Sequence, residues 1–86
     1  AFLALHKAAM VEGAVSIKHK ELIATGIAIA ARCDGCIGAH VAAALKAGAT
    51  KQELIETIDV AVLMGGGPAI IYGTQALAAV EELSAE

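Results

Sequence analysis

Apolar residues recur along this chain at helical spacing, and no stretch alternates apolar and polar over the length of a strand. Ala, Leu, Ile, Glu and Lys dominate, and these residues lose little on entering a helix. The pattern predicts an all-α fold, a helical bundle of about five helices. The first covers about residues 1–12, with Phe2, Leu5 and Ala9 on one face beside Leu3 and Met10, and Gly13 ends it. Ser16 is placed to cap a second helix over about residues 18–32. Leu22, Ile23, Ile27, Ile29 and Ala30 leave that helix apolar almost all round, which predicts a central position. A third helix spans about residues 34–46, with the Asp34 carboxylate as its N-terminal cap and Gly48 just past its end. Thr50-Lys51-Gln52-Glu53 reads as a capping box that opens a fourth, continuing through Ile55, Ile58, Val62 and Leu63. The run Gly65-Gly66-Gly67 stops it. Pro68 then suits the first turn of a fifth helix reaching about residue 83. Short links imply antiparallel neighbours.

Composition adds an expectation about assembly. The 86 residues are read as a single domain over 1–86, with no internal repeat and no low-complexity tail. Of these residues 58% are hydrophobic, against a usual apolar share of roughly 45–50%, and the mean hydropathy is +0.73. A domain of this size buries only about 60% of the surface that its unfolded chain exposes. The excess apolar surface predicts subunits that bury faces against one another. Disorder is excluded, because only 17% of residues are charged and aliphatic side chains abound.

Charge and aromatic content exclude further classes. The net charge is −3, the basic residues are scattered, and there is one Phe and one Tyr. Nucleic-acid binding needs phosphate-neutralising charge and stacking platforms, and neither is present. Residues 60–80 carry no charge, but Gly65-Gly66-Gly67-Pro68 breaks the segment into pieces too short to span a bilayer. The opening Ala-Phe-Leu-Ala-Leu-His has no basic region and no cleavage site of a secretory signal. A soluble cytoplasmic protein that binds neither membrane nor nucleic acid is the expectation.

The informative segment is Cys33-Asp34-Gly35-Cys36, followed four residues later by His40. Two thiols at this spacing can close into a disulfide with little backbone movement. A helix start places the second sulfur near the positive end of the helix dipole, which favours thiolate. Cys36 and His40 stand at i and i+4 and share a face, so a neutral imidazole is placed to take the thiol proton. Cys33 is positioned to resolve a sulfenic acid into a disulfide. A structural zinc site would want four ligands, and here Cys33, Cys36 and His40 stand together while His6 and His19 are remote in sequence, so a subunit interface would have to complete it. Two buried cysteines that merely pack are the plainest alternative.

With Glu21 added, these residues resemble the alkylhydroperoxidase D-like branch of the carboxymuconolactone decarboxylase family. The signature of that branch is a Glu, a Cys-x-x-Cys twelve residues on, a His after three more, and a Gly near the end of the helix. In this chain it reads Glu21, Cys33-Asp34-Gly35-Cys36, Ile37-Gly38-Ala39-His40 and Ala47-Gly48. The flanks Lys18-His19-Lys20-Glu21-Leu22-Ile23 and Val62-Leu63-Met64-Gly65-Gly66-Gly67-Pro68 agree as well, so the likeness covers nearly the whole chain. The better-studied peroxidases are longer and carry an additional His inside the Cys-x-x-Cys, where this chain has Gly35.

The resemblance implies an all-α fold assembled as a homo-trimer, or as a homo-hexamer built as a trimer of dimers. It also implies thiol-dependent peroxidase activity. Carried over by position, Cys36 is the peroxidatic cysteine, Cys33 the resolving one, His40 the base and Glu21 its partner. The substrate would be a hydroperoxide, the reductant a dihydrolipoyl protein or another dithiol carrier, with no metal or organic cofactor. Two further readings stay open. One is an acid–base decarboxylase using Glu21 and His40; the other is a non-enzymatic protein with zinc or a redox-switched disulfide at Cys33 and Cys36.

Spacing alone treats Glu21 differently. Twelve residues place it about 18 Å along a helix from Cys33, opposite Lys46 in a simple antiparallel hairpin. By that reading it is a first-turn residue facing the helix dipole, unless the helices cross steeply or a neighbouring subunit donates it. The other polar residues carry plainer expectations. His19, Lys18 and Lys20 are expected in solvent, and Tyr72 as a half-buried packing residue. Gly65-Gly66-Gly67 follows a helix and lacks the Lys-Ser/Thr ending of a phosphate loop, so it is read as a tight helix–helix turn.

Overall fold

The structure is a computed structural model and describes residues 1–84. Five helices are present, α1 (Phe2–Ala9), α2 (Ile17–Ala30), α3 (Asp34–Lys46), α4 (Lys51–Gly65) and α5 (Gly67–Ser84), and the described residues hold no strand. The fold is all-α. The helix ends follow the local chemistry of the sequence. Ser16 Oγ accepts the His19 backbone N–H at 3.1 Å. The Thr50–Glu53 capping box is complete, with Thr50 Oγ1 accepting Glu53 N–H and Glu53 Oε1 accepting Thr50 N–H. Among the described residues, no helix is long and apolar enough to cross a membrane.

Three ends differ from expectation. α1 stops at Ala9, because the Lys20 ammonium donates to the carbonyls of Ala9 (2.8 Å) and Val11 (2.7 Å) and holds the chain in a bend. Asp34 does not cap α3; the N-cap residue is Cys33, with no side-chain cap bond, and Asp34 is the first residue inside the helix. Arg32 is not helical either, since it takes a left-handed conformation with φ 60°. Its N–H bonds the Ile29 carbonyl at 3.1 Å and the next N–H, of Cys33, bonds Ala28 at 2.9 Å. This is a Schellman closure with arginine at the position that usually holds glycine. Gly48 closes α3 in the same way, through Gly48 N–H to Leu45 and Ala49 N–H to Ala44.

Helices α2, α3, α4 and α5 form a four-helix bundle, with α2 packed against the other three, but it is not enclosed all round, since Leu22 and Ile29 are buried while Ile23, Ile27 and Ala30 are exposed. The register can be read from particular residues. Lys18 pairs with Glu53, Gly26 faces Thr57, and Gly65 lies against Ala30, so α2 and α4 run parallel. Gly65 faces Ala69, Gly73 faces Val62 and Ile58, and Lys51 pairs with Glu81, so α4 and α5 run antiparallel. Leu22, Ile29, Ile37, Val41, Leu54, Ile58 and Val80 fill the interior, interleaved with six alanines that let the helices approach closely. α1 contributes no buried residue, so its apolar face does not join this core.

Two glycines predict opposite outcomes for one substitution. A Cβ at Gly65 would lie 2.6 Å from the Ala69 Cβ and 3.5 Å from the Ala30 Cα, whereas Gly38 has nothing within 4 Å. Gly65→Ala should therefore cost about 1–3 kcal/mol through overpacking, and Gly38→Ala should gain about 0.5–1 kcal/mol from helix propensity. Urea unfolding of both variants measures the two signs.

Glu53 supplies a pH dependence. The Thr50 backbone N–H, then the Lys18 ammonium, hold its carboxyl below its ordinary value. A folded-state pKa below the unfolded one gives stability that is present above the unfolded pKa and lost as pH falls through the folded one. Glu53→Gln should flatten that part of the acid-side fall in melting temperature and leave the neutral-to-alkaline side parallel to the parent.

Candidate active site

The candidate residues gather where α2 hands over to α3. Cys33 is fixed by its backbone on both sides of the corner. Its N–H closes α2 on Ala28, and its carbonyl accepts the N–H groups of Cys36 (3.1 Å) and Ile37 (3.2 Å), which opens α3. Cys36 is thereby set in the first turn of α3, where the unpaired N–H groups concentrate positive potential. Cys33 and Cys36 are joined as a disulfide, with their Cα atoms 5.2 Å apart. Both are half-buried, and Cys36 packs against the core.

His40 follows Cys36 by one turn on the same face. Its Nδ1 lies 2.7 Å from Glu21 Oε1, and this contact is made within one chain. Glu21 does not face Lys46 as an in-register hairpin would require. His40 sits about 10 Å along α3 from Cys33, while Glu21 sits about 18 Å along α2, at 1.5 Å rise per residue. The contact thus joins positions about 8 Å out of step along two packed helices. Glu21 is only 5% exposed, so its placement is not that of a solvated first-turn acid. One residue of this neighbourhood had no distinguishing mark in the sequence. Thr25 is fully buried four residues after Glu21, and its hydroxyl donates to the Glu21 carbonyl at 2.8 Å.

The direction of the proton at His40 follows from its neighbour. An ionised Glu21 carboxylate only accepts, so Nδ1 carries the hydrogen toward it. In a neutral ring of that tautomer the lone pair lies on Nε2. The other candidates stand apart. His19 is exposed, with its Nδ1 2.6 Å from Ser16 Oγ. Lys18 pairs with Glu53 at 3.0 Å, and Lys20 holds the end of α1. Tyr72 is half-buried against the core. Among the described residues, no group of three or more His, Cys, Asp and Glu stands together in a way that could hold a metal ion.

Comparison with known proteins gives one consistent outcome. A model of the carboxymuconolactone decarboxylase family matches residues 1–82. An uncharacterized protein of Cupriavidus necator is 39% identical over 85 residues, covering 99% of this chain and 75% of that protein. A second, named uncharacterized protein 4 in the cox locus of Paracoccus denitrificans, is 40% identical over 83 residues, covering 96% of this chain and 75% of that protein. Among solved structures, an apo carboxymuconolactone decarboxylase family protein from Legionella pneumophila superposes with a TM-score of 0.92 at 49% identity, over 96% of this chain and 74% of that one. A family member from Thermotoga maritima, to which a possible involvement in the antioxidative response is attributed, gives 0.91 at 32% identity, over 98% and 72%.

The Glu21–His40 contact predicts a thermodynamic coupling. His40→Ala leaves a buried carboxylate without its partner and should cost about 1–3 kcal/mol. Replacing both residues by Leu should cost less than the two single losses added together. A double-mutant cycle by urea unfolding should return a coupling of about 1–3 kcal/mol, and a coupling near zero would remove the Glu21–His40 hydrogen bond from the account of this site.

Proposed function

Since this chain belongs to the carboxymuconolactone decarboxylase family, we propose that it works in the redox branch of that family, as a thiol-dependent peroxidase acting on hydroperoxides. The observation that carries the reading is the Cys33–Cys36 disulfide at the start of α3, with the Glu21–His40 pair one turn beyond. The possible antioxidative role attributed to the Thermotoga maritima relative agrees with it.

The cycle starts from the dithiol. His40 Nε2 takes the Cys36 proton, and the helix start favours the resulting thiolate. The thiolate attacks the terminal oxygen of a hydroperoxide. The O–O bond breaks, the sulfur is oxidised to sulfenic acid, and the imidazolium returns its proton to the departing alkoxide, which leaves as alcohol. Glu21 holds the ring in position and stabilises its charged form. Cys33 then attacks the sulfenic sulfur, forming the disulfide and releasing water. An external dithiol, such as a dihydrolipoyl group, takes over the disulfide by exchange and is itself oxidised. Each turnover thus consumes one hydroperoxide and one dithiol and yields one alcohol, one water and one oxidised carrier.

Glu21 and His40 would also serve an acid–base decarboxylase, the activity that gives the family its name. The two readings differ in their need for sulfur. Cys36→Ser should abolish hydroperoxide consumption, and Cys33→Ser should stop after one equivalent with a sulfenic acid at Cys36 that a dimedone-type probe captures. Glu21→Gln and His40→Ala should slow thiol oxidation by about 10²–10⁴-fold, the usual weight of a general base. Unchanged peroxide turnover in Cys36→Ser would overturn the peroxidase reading. A lactone decarboxylation untouched by thiol alkylation would install the other.

A further inference from the structure

The corner that holds the disulfide carries a residue that the proposed cycle leaves unused. Arg32 precedes Cys33, is exposed, and takes a left-handed conformation with φ 60°. At the end of α3 the same closure is made by Gly48, with φ 100°. Glycine occupies this region with less strain than a residue that bears a Cβ. The chain therefore holds a cation beside its disulfide at a position where the backbone favours glycine.

Charge around the corner is sparse. α2 carries no charged side chain after Glu21, and α3 carries Asp34, His40 and Lys46, the last at its far end. The turn between α4 and α5 packs at this end of the bundle, with Gly65 against Ala30, and residues 60–80 are uncharged. Glu21 is buried against His40. Asp34 lies in the first turn of α3, where the helix dipole offsets part of its charge. Arg32 joins none of the ion pairs of the described residues. It is thus an unpaired, exposed cation next in sequence to Cys33.

We propose that Arg32 is a specificity-determining residue for the reductant, favouring a dithiol that bears a further negative charge. The proposal rests on the reading of Cys33–Cys36 as an exchangeable disulfide, and not on hydroperoxide as its oxidant. The attacking species in disulfide exchange is a thiolate, and the more acidic thiol is the faster leaving group. Cys36, at the helix start, is that leaving group. Attack therefore falls on Cys33, the sulfur beside Arg32. A bond forms between the reductant sulfur and Cys33, the Cys33–Cys36 bond breaks, and its electron pair leaves on Cys36. The second thiolate of the reductant then displaces Cys33, and the reductant departs as a cyclic disulfide, oxidised by two electrons. The two protons of the dithiol end on the cysteines. The first step brings an anion to Cys33, and the guanidinium attracts it. A carboxylate on the same reductant strengthens that attraction, and an amide in its place does not.

Dihydrolipoic acid and dihydrolipoamide carry the same thiols and differ by one carboxylate charge. The oxidised full chain is mixed with each dithiol in the absence of peroxide and quenched by alkylation, and the freed thiols are counted by mass spectrometry. At low ionic strength the acid should reduce the parent about threefold faster than Arg32→Gln, and the acid-to-amide rate ratio should fall about twofold in that variant. The ratio should stay near the parent value in Arg32→Lys, and parent and Arg32→Gln should converge at high salt. A merely structural role would not move a charge-dependent ratio. Arg32→Gly should show the low ratio of Arg32→Gln and yet melt higher than the parent, because it relieves the left-handed strain. Equal ratios in parent and Arg32→Gln overturn the proposal, as does a difference that persists at high salt or a low ratio in Arg32→Lys. A lower melting temperature for Arg32→Gly would mean that the side chain is kept for stability and would overturn it too. Since exchange is read without peroxide, a parent chain that passes these tests but consumes no hydroperoxide counts against the peroxidase reading alone.

Discussion

A carboxylate that is almost wholly buried must find a partner, and in this chain Glu21 finds it in His40. The contact fixes more than two side chains. It fixes the register of α3 against α2, because a residue in the second turn of each helix meets the other. That register is shared with the corner between the helices, and the corner holds the cysteines. An apolar pair at the same positions would pack but would not select one register. A hydrogen-bonded acid and imidazole tolerate a shift of only a few tenths of an ångström before the bond weakens. The same pair that specifies the packing engages only one of the two imidazole nitrogens, Nδ1.

The corner itself is built from backbone. Cys33 closes one helix with its N–H and opens the next with its carbonyl, so its Cα has little freedom whatever its sulfur does. The cost appears one residue earlier, at Arg32, where a side chain occupies the left-handed region. A glycine would sit there with less strain. The structure thus places the Cys33–Cys36 disulfide on a backbone held from both directions. Cys36 is held differently, by its helix and by the core it packs against. One cysteine is located by backbone bonds and the other by burial.

Much of this was legible in the residues. The caps at Ser16 and Thr50, the left-handed Gly48, the turn after Gly65 and the all-helical class follow from local propensity, which does not need the rest of the fold. The Cys33–Cys36–His40 grouping was legible too, because it lies within two turns of one helix. Glu21 was not placed by periodicity, since its partner is nineteen residues away and the contact depends on how two helices pack, which no local rule states. Arg32 was read as helical because nothing marks an arginine for positive φ. Asp34 had the right chemistry for a cap but stood one position too far along, and the backbone of Cys33 took that place. The amphipathic pattern of α1 signalled a helix with an apolar face, but a periodicity cannot say whether that face joins the core, and here it does not.

That last failure and the apolar composition have one physical origin. Six of the buried hydrophobic positions are alanine. Alanine brings helices close together, and it also limits how much area each position removes from water. A bundle packed this tightly has little internal volume for its Ile, Leu, Met and Phe side chains, so they accumulate outside. At about 25 cal/mol per Å² of apolar surface removed from water, leaving such faces solvated forgoes a large part of the available stabilisation. The small buried core and the large exposed apolar faces are therefore two aspects of one distribution of residues. Enlarging the core alanines would relieve the surface excess only by forcing apart helices whose closeness brings Glu21 to His40. Small residues inside hold the candidate site together, and the large ones outside are the consequence.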